Sequence, residues 1–334
     1  GGDSAEVALE LMPGNKIRKY DTWHAMGQGA TTGSLVVTLE ALKEMHLTPE
    51  DIQLIQNDTK TCPDTGMAGA SRSLYMDGNA TIIAANKLLA AMRKEDGTLR
   101  TYDEMKAEGI ETKYLGRYET NTTPGLCRLD PNTGIGDPTP AFTYCLNLAE
   151  VEVDTKTGKT TVLKFTCVDF VGRIGNIDAV NGQAYSGIMH GIGFALKEDY
   201  ADVKKHANMF GAGTSYIKDV PDDIDLIHID GAISDGPFGS SGASEAFQAS
   251  GHCAVLNGIY NACGVRIHEI PALPEKVKAG LDAIAKGEKP YEPKKYFLGS
   301  DMYEELENIK ENPVQYDSYN FYQPLGDADA DRPF

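Results

Sequence analysis

Glu245 is the charged residue best placed to do chemistry in this sequence. It is the only charged residue between Asp235 and Arg266, and a run of small residues, 239–244, leads into it. Small residues let a backbone come close to a ligand. The Gly-, Ala- and Cys-rich segment that follows predicts a tightly packed, buried helix. A lone carboxylate in that setting is either an acid at a helix start, stabilised by the helix dipole, or a catalytic base.

Small-residue turns directly before a predicted helix occur at four places in the sequence. The exposed N–H groups and partial positive charge of a helix start bind anions such as phosphate, and glycine lets the ligand approach. One such turn is ordinary helix-entry geometry. Four together, in an acidic chain without a basic phosphate site, indicate a large cofactor with several phosphates. The turns are Gly27-Gln28-Gly29, Gly69-Ala70-Ser71, Gly182-Gln183 and Ser241-Gly242-Ala243.

Short motifs of other site classes are missing from the sequence. GQGATTG at 27–33 is one residue away from the dinucleotide fingerprint, and no Walker sequence or GxSxG elbow occurs. The histidines show no metal-ligand spacing, so His190 is more simply a partly buried histidine than a ligand. The six cysteines form no CxxC pair, which disfavours zinc or an iron–sulfur cluster here and predicts free, buried thiols.

Composition narrows the class of protein. The 334 residues are 41% hydrophobic and 24% charged, which is typical of a globular protein with an ample core. The formal net charge of −18 argues against nucleic-acid binding. No apolar run is long enough to span a membrane, and the first residues do not resemble a signal peptide. We therefore expect a cytoplasmic protein.

Predicted strands and helices alternate along the chain, and frequent hairpins favour an α+β fold over a regular parallel α/β fold. The predicted strands lie within 4–24, with a turn at 13–15, and at 52–58, 142–154, 160–171 and 265–271. The predicted helices lie at 30–46, where Leu35, Leu39 and Leu42 share a face, at 71–93, at 182–200, after Glu245, and at 274–287. Thr48 and Asp51 could form a capping box, and 95–140 is expected to be irregular.

Several segments taken together resemble the molybdopterin-binding half of the molybdenum hydroxylases, which include xanthine dehydrogenases and aldehyde oxidoreductases. Their order and spacing match across residues 4 to 280. The sequence has Ala243-Ser244 before the glutamate where many members read VGEPP, and this form is similar to that of bacterial aldehyde oxidoreductases. The matching segments are MGQG (26–29), GASRS (69–73), AEVEVDTKTGKTTV (149–162), VGRIGNIDAVNGQ (171–183), GQAYSGIMHGIGFAL (182–196) and GSSGASEAF (239–247).

The resemblance implies a role for each matching residue. Glu245 corresponds to the family's catalytic glutamate, a general base for molybdenum-bound hydroxide or water. Gln28 would lie near the molybdenum oxo group and pterin, and Gln183 would hold the phosphates or pterin. The pterin dithiolene holds the metal, so no side chain is expected to ligate it. The implied cofactor-binding residues are Gly27, Gln28, Gly29, Ala30, Gly69, Ala70, Ser71, Arg72, Ser73, Gln183, Ser240, Ser241, Gly242 and Ala243.

The resemblance also implies an activity and an assembly. Small aldehydes would be oxidised to carboxylic acids with water as oxygen source, on molybdopterin cytosine dinucleotide. Electrons would leave through [2Fe-2S] clusters in N-terminal domains absent from this sequence. Residues 1–288 would form the second half of the cofactor-binding region, 289–334 a C-terminal extension, and the enzyme a homodimer. The alternatives are a purine or other N-heterocycle hydroxylase, and a non-catalytic cofactor-binding scaffold module.

Overall fold

A computed structural model describes residues 3–56, 58–120, 130, 136, 139, 141–202 and 204–288. Over these residues the chain forms two sheets, of four and three strands, each covered by helices. The predicted extension 289–334 lies outside the described residues, and so does Cys127.

The first sheet has the strand order β3-β2-β1-β4. Its strands are β1 (Ser4–Met12), β2 (Lys16–Asp21), β3 (Ile52–Gln56) and β4 (Lys113–Glu119). The predicted turn Pro13–Asn15 joins β1 to β2 as an antiparallel hairpin, with Gly14 in the left-handed region, where glycine costs little. Parallel pairing of β2 with β3 requires a crossover, which a helix provides.

Three helices accompany the first sheet: α1 (Ala30–Ala41), α2 (Ser73–Met92) and the short α3 (Tyr102–Ala107). The predicted apolar face of α1 is confirmed, because Leu35 and Leu39 pack against the core and Leu42 is buried. One side of α2 is buried along its whole length, through residues such as Ala84 and Leu88. Burial of such faces supplies most of the stability of helices in proteins.

The second sheet has the order β5-β6-β7 and joins an antiparallel pair to a parallel one. Its strands are β5 (Tyr144–Val153), β6 (Thr160–Phe170) and β7 (Asp223–His228). On the inner face, Phe165 and Cys167 are fully buried. The outer face stays exposed and carries Tyr144, Leu146 and Leu148 on the edge strand.

Four helices follow β6: α4 (Ile177–Leu196), α5 (Ser244–Ala249), α6 (Gly251–Cys263) and α7 (Pro274–Ala285). The first three cover the inner face of the second sheet, where Ile188, Phe247 and Val255 share one buried cluster. Glycine allows close helix packing here, because a Cβ on Gly191 would lie 2.8 Å from the Gly251 Cα. The exposed turns that begin α1, α2 and α5 all reach one cavity.

The α+β prediction is confirmed, while several element predictions are wrong. Residues 95–140 were expected to be irregular, yet they contain α3 and β4. The strand β7 was missed, because its half-buried residues alternate with Asp223 and Asp225 in a region dominated by loop signals. The predicted strand at 265–271 is not a strand. The predicted helix after Glu245 is broken at Ser250, which separates α5 from α6. The capping box of Thr48 and Asp51 is present.

Candidate functional site

A cavity of about 600 Å³ lies where the helices of the two sheets meet. Its walls come from the starts of α1, α2 and α5, from the first two turns of α4, and from the loops between them. It therefore brings together all four segments whose glycine-rich sequences predicted an anion site. The predicted residues that line it are Gln28, Gly29, Ala30, Gly69, Ser71, Ser73, Gln183, Ser240, Ser241, Gly242, Ala243 and Glu245.

The first wall is the turn that begins α1. Gly29 caps the helix in the left-handed region at a φ of 84°, and both Gly29 and Ala30 line the cavity. The Gln28 side-chain amide folds onto its own loop, where it donates to the His24 carbonyl oxygen at 3.0 Å. Gly27 shapes this turn without lining the cavity.

The second wall is the turn that begins α2. Ala70 and Ser71 both have a φ of 52°, and non-glycine residues hold this conformation when the surrounding structure requires it. Ser71 and Ser73 face the cavity, whereas Ala70 and Arg72 do not line it. The Arg72 guanidinium pairs with Asp3 and donates to backbone carbonyls, including that of Met67 at 2.7 Å. Arg72 thus stabilises the loop through these contacts without lining the cavity.

The third wall is the turn before α5, and it packs directly on the second. A Cβ placed on Gly242 would lie 1.6 Å from the Ser71 carbonyl oxygen, so glycine is required at this position. The Glu245 N–H donates to the Ser71 Oγ at 3.2 Å, which ties α5 to the α2 turn. Phe238 also lines this wall, and its φ of 54° marks a strained backbone between Pro237 and Gly239.

Glu245 lies in the first turn of α5 with its side chain open to the cavity. We expected a buried helix here; instead Phe247 is buried and Glu245 is exposed. The helix is amphipathic over its six residues, so one side packs on α4 while the other forms the cavity wall. Among the described residues, the Glu245 carboxylate has no hydrogen-bond or ion-pair partner. It is therefore free to accept a proton from a bound molecule.

The fourth wall is α4, and here the predicted helix start is wrong. The helix begins at Ile177 because the Asn176 side chain caps it, accepting a hydrogen bond from the Ala179 N–H at 3.0 Å. Gln183 consequently lies inside the helix, in its second turn, and reaches the cavity by its side chain rather than from a helix start.

Sequence reasoning missed several cavity residues. Arg173 is the one basic residue among the described side chains that line the cavity, where Glu40 and Glu245 are the acids. Trp23 and Phe238 add apolar walls. Arg173 falls within the VGRIGN sequence that carried the family resemblance, so a signal was present. The sequence carries no such signal for Trp23, because a single tryptophan is most simply interpreted as a core residue.

A fully buried ion cluster lies directly behind the α1 and α2 walls. The Lys19 Nζ is 2.7 Å from the Asp77 Oδ1 and 3.2 Å from the Asp21 Oδ2, and all three side chains are completely inaccessible to solvent. Burial raises the pKa of Asp77 to about 6, although Lys19 opposes this shift. The Asp77 Oδ2 has no hydrogen-bond partner among the described residues. The cluster also touches the cavity lining, because the Trp23 N–H donates to the Asp21 Oδ1 at 3.3 Å.

The chemistry of the walls fits a large, anionic, partly aromatic ligand. Three helix starts supply backbone N–H donors, and serine hydroxyls and glutamine amides add neutral donors. The apolar side chains of Trp23, Val37 and Ile174 can cover a flat ring system. No group of three His, Cys, Asp or Glu side chains that could hold a metal ion occurs in the described part of the chain.

Two further observations bear on the surroundings of the site. The five described cysteines are free, as the irregular spacing predicted. The prediction that they are buried is wrong, because only Cys167 is buried and Cys253 is exposed on α6. Among the helices that the structure describes, none combines the length and the apolar character that crossing a membrane requires.

Known proteins with a similar sequence or structure agree with the cofactor site that this geometry indicates. The family model for the molybdopterin cofactor-binding domain matches residues 1–221. An aldehyde oxidoreductase of Megalodesulfovibrio gigas is 41% identical over 283 residues, which are 85% of this chain and 31% of that relative. A probable hypoxanthine oxidase of Escherichia coli is 28% identical over 277 residues, which are 78% of this chain and 29% of that relative.

A solved structure agrees with the sequence comparison. The crystal structure of the aldehyde oxidoreductase from Desulfovibrio desulfuricans has a TM-score of 0.79 and 44% identity, covering 83% of this chain and 30% of that chain. This chain therefore spans less than a third of the length of each of these three proteins.

Proposed function

This chain belongs to the molybdenum hydroxylase family, as a molybdopterin cofactor-binding domain, and we propose that it forms the catalytic wall of an aldehyde-oxidising enzyme. The observation that carries the proposal is the position of Glu245. Its unpaired carboxylate faces the same cavity as Gln28, Gln183 and the Ser71 turn. The family resemblance drawn from the sequence is confirmed by the comparisons.

The cofactor that we propose is molybdopterin cytosine dinucleotide. The starts of α1, α2 and α5, with Ser71 and Ser241, would hold its phosphates through N–H and hydroxyl donors. Gln28 and Gln183 would hydrogen-bond the pterin end. Arg173 adds the single positive charge on the lining and would pair with a phosphate oxygen. When bound, this group supplies the two-electron oxidant and the site at which water is activated.

Glu245 acts as a general base in this proposal. Its carboxylate accepts a proton from the water oxygen as that oxygen attacks the aldehyde carbonyl carbon. As this C–O bond forms, the carbonyl π bond opens onto its own oxygen. The aldehyde C–H bond then breaks, its hydrogen and electron pair passing to the two-electron oxidant that the bound group would supply, and the carboxylic acid keeps the oxygen of water. The Ser71 Oγ holds the Glu245 N–H, which keeps the carboxylate directed into the cavity. A positioned base of this kind contributes about 10²–10⁴-fold in rate.

The same proposal covers the domains, the electron acceptors and the oligomeric state of the whole enzyme. Residues 1–288 would form the second half of the cofactor-binding region, and 289–334 a C-terminal extension. Electrons would pass to [2Fe-2S] clusters in other domains of the enzyme, which would act as a homodimer. The free thiols of the described cysteines favour the cytoplasm as its compartment.

Small aldehydes are the substrates we propose, because identity to the aldehyde oxidoreductase exceeds that to the probable hypoxanthine oxidase. The Ala243-Ser244 sequence before Glu245 supports the same choice. A purine hydroxylase is the second candidate, since the probable hypoxanthine oxidase also matches most of this chain.

The test is Glu245→Gln in the full-length enzyme, because this change removes the base and keeps the side-chain shape. We expect oxidation of acetaldehyde to fall by about 10²-fold or more, with molybdenum and pterin content unchanged. The matched control is Glu152→Gln, an exposed glutamate on β5 outside the cavity lining, which should retain full turnover.

Three results would contradict parts of this proposal. Turnover near the wild-type level in the Glu245→Gln enzyme would remove Glu245 from the mechanism. Purified enzyme without molybdenum or pterin would favour the scaffold module. Faster turnover of hypoxanthine than of acetaldehyde would favour the purine hydroxylase.

A further inference from the structure

We propose that the buried cluster of Lys19, Asp21 and Asp77 is a positioning device that sets how tightly the cofactor is held. It fixes the starts of α1 and α2 relative to each other, so that their N–H groups converge on one ligand. The inference rests on the proposed function, because it concerns retention of the anionic cofactor.

A continuous chain of polar contacts joins the two helices through β2. On α1, the Ser34 hydroxyl donates to the Asp21 Oδ2 at 2.7 Å. Lys19 bridges Asp21 to Asp77 on α2. The Thr81 hydroxyl donates to the Asp77 Oδ1 at 3.2 Å, one turn further along α2. Each contact has a restricted geometry, so the cluster fixes both the separation and the rotation of the helices.

The same stretch of α2 also holds the turn that leads to the third wall. A Cβ on Gly78 would lie 2.6 Å from the Pro237 Cγ, so the helix and the turn touch there. The Asn79 side-chain amide donates to the Asp235 carbonyl oxygen at 3.1 Å. Three consecutive residues, Asp77 to Asn79, therefore connect the α1, α2 and 235–239 walls. A shift of Asp77 would be transmitted to all three walls.

Energetics favour a positioning role over a stabilising one. Burying three charges costs desolvation energy, and well-packed apolar residues of similar size often stabilise a protein as much or more. Buried ionic groups can instead select one arrangement among several, because unpaired charges in any other arrangement are costly. Here two carboxylates share one ammonium group, and Asp77 retains an unpartnered oxygen. The charge balance of the cluster therefore changes when Asp77 gains a proton.

The charged and polar groups around Asp77 can be named for each element. From β2 come Lys19 and Asp21, from α1 Ser34, and from α2 Thr81. Gln56 on β3 donates to the Asp21 Oδ1 at 2.6 Å. Among the described residues, the groups in contact with Asp77 thus include a single cation. Burial raises the pKa of Asp77 to about 6 in this arrangement, so protonation as the pH falls through about 6 removes the excess negative charge and favours the α1–α2 spacing seen in the structure.

The experiment measures release of molybdenum and fluorescent pterin from the loaded full-length enzyme, at temperatures well below unfolding. For the wild type, we expect release about 10-fold slower at about pH 5 than at about pH 7.5, as one pKa unit of coupling would give. Asp77→Asn should release cofactor at one rate at both pH values, since asparagine does not titrate.

The matched control is Asp223→Asn, which removes a carboxylate from the exposed ion pair of Lys164 on the second sheet. We expect its release rates and their pH dependence to equal those of the wild type. If Asp77→Asn does not fold, Ser34→Ala removes the α1 link alone and should still speed release severalfold at about pH 7.5.

The outcomes separate the two proposals. A loaded Asp77→Asn enzyme that keeps the wild-type pH dependence, even with a lower melting temperature, overturns the positioning role and leaves the proposed function intact. Unchanged release from Ser34→Ala overturns it as well. Purified wild-type enzyme without molybdenum and pterin overturns the proposed function itself.

Discussion

Gly242→Ala tests most directly how the second and third cavity walls pack. The added Cβ would lie 1.6 Å from the Ser71 carbonyl oxygen and 2.6 Å from the Ser71 carbonyl carbon. Both atoms belong to the backbone, so no side-chain rotation relieves the clash. An ordinary contact begins at 3.4 Å, so the 240–243 turn must move by about 1.8 Å, the difference from 1.6 Å.

Such a movement carries two costs. Overpacking costs about 1–3 kcal/mol. Loss of the hydrogen bond from the Glu245 N–H to the Ser71 Oγ, 3.2 Å long in the structure, adds about 1 kcal/mol. The free energy of unfolding should therefore fall by about 2–4 kcal/mol, which lowers the melting temperature by about 5–10 °C. Molybdenum content should fall too, because the α2 and α5 starts separate.

Thermal unfolding and metal analysis of the full-length enzyme measure both effects. The control is Gly182→Ala inside α4, where an added Cβ meets no heavy atom within 4 Å. That change should raise the free energy of unfolding by about 0.5–1 kcal/mol. If the Gly242→Ala enzyme unfolds within about 1 °C of the wild type and keeps its molybdenum, the described contact between the walls is wrong.

Two further predictions concern how α4 and α5 are held. Asn176→Ala removes the cap of α4 and should lower the free energy of unfolding by about 1 kcal/mol in denaturant titrations, whereas Asn176→Asp should preserve it. Phe247→Ala empties a fully buried position beneath Glu245 and should cost about 3–5 kcal/mol by the same measurement. Phe247→Leu should cost clearly less, and equal losses would mean that the ring contributes no packing.

The turns of the site could be predicted from the sequence because their chemistry is local. Gly29 before α1 and Gly242 before α5 mark places where a side chain would block a helix start or a backbone contact. The position of Gln183 could not be predicted in this way. Asn176 and Gly182, six residues later, are both possible starts of a helix in the sequence. The capping hydrogen bond of the Asn176 side chain sets the actual start of α4.

Long-range features of the site left little trace in the sequence. Lys19 and Asp77 are 58 positions apart, and neither has an unusual local sequence, so their burial follows from tertiary packing alone. β7 was missed because its partner β6 is distant in sequence and its outward residues Asp223 and Asp225 lower its apolar signal. The exposure of Glu245 depends on which side of the short α5 packs on α4.

The hydrogen bond between the Glu245 N–H and the Ser71 Oγ joins residues 174 positions apart. It closes the cavity between segments that belong to different sheets. Contacts of such high sequence separation form late in folding, because the loop-closure entropy must be overcome first. The cavity therefore does not exist on a partly made chain. Under the proposed function, the cofactor that this cavity would hold can bind only after both sheets have docked, so its insertion would follow the synthesis of the chain.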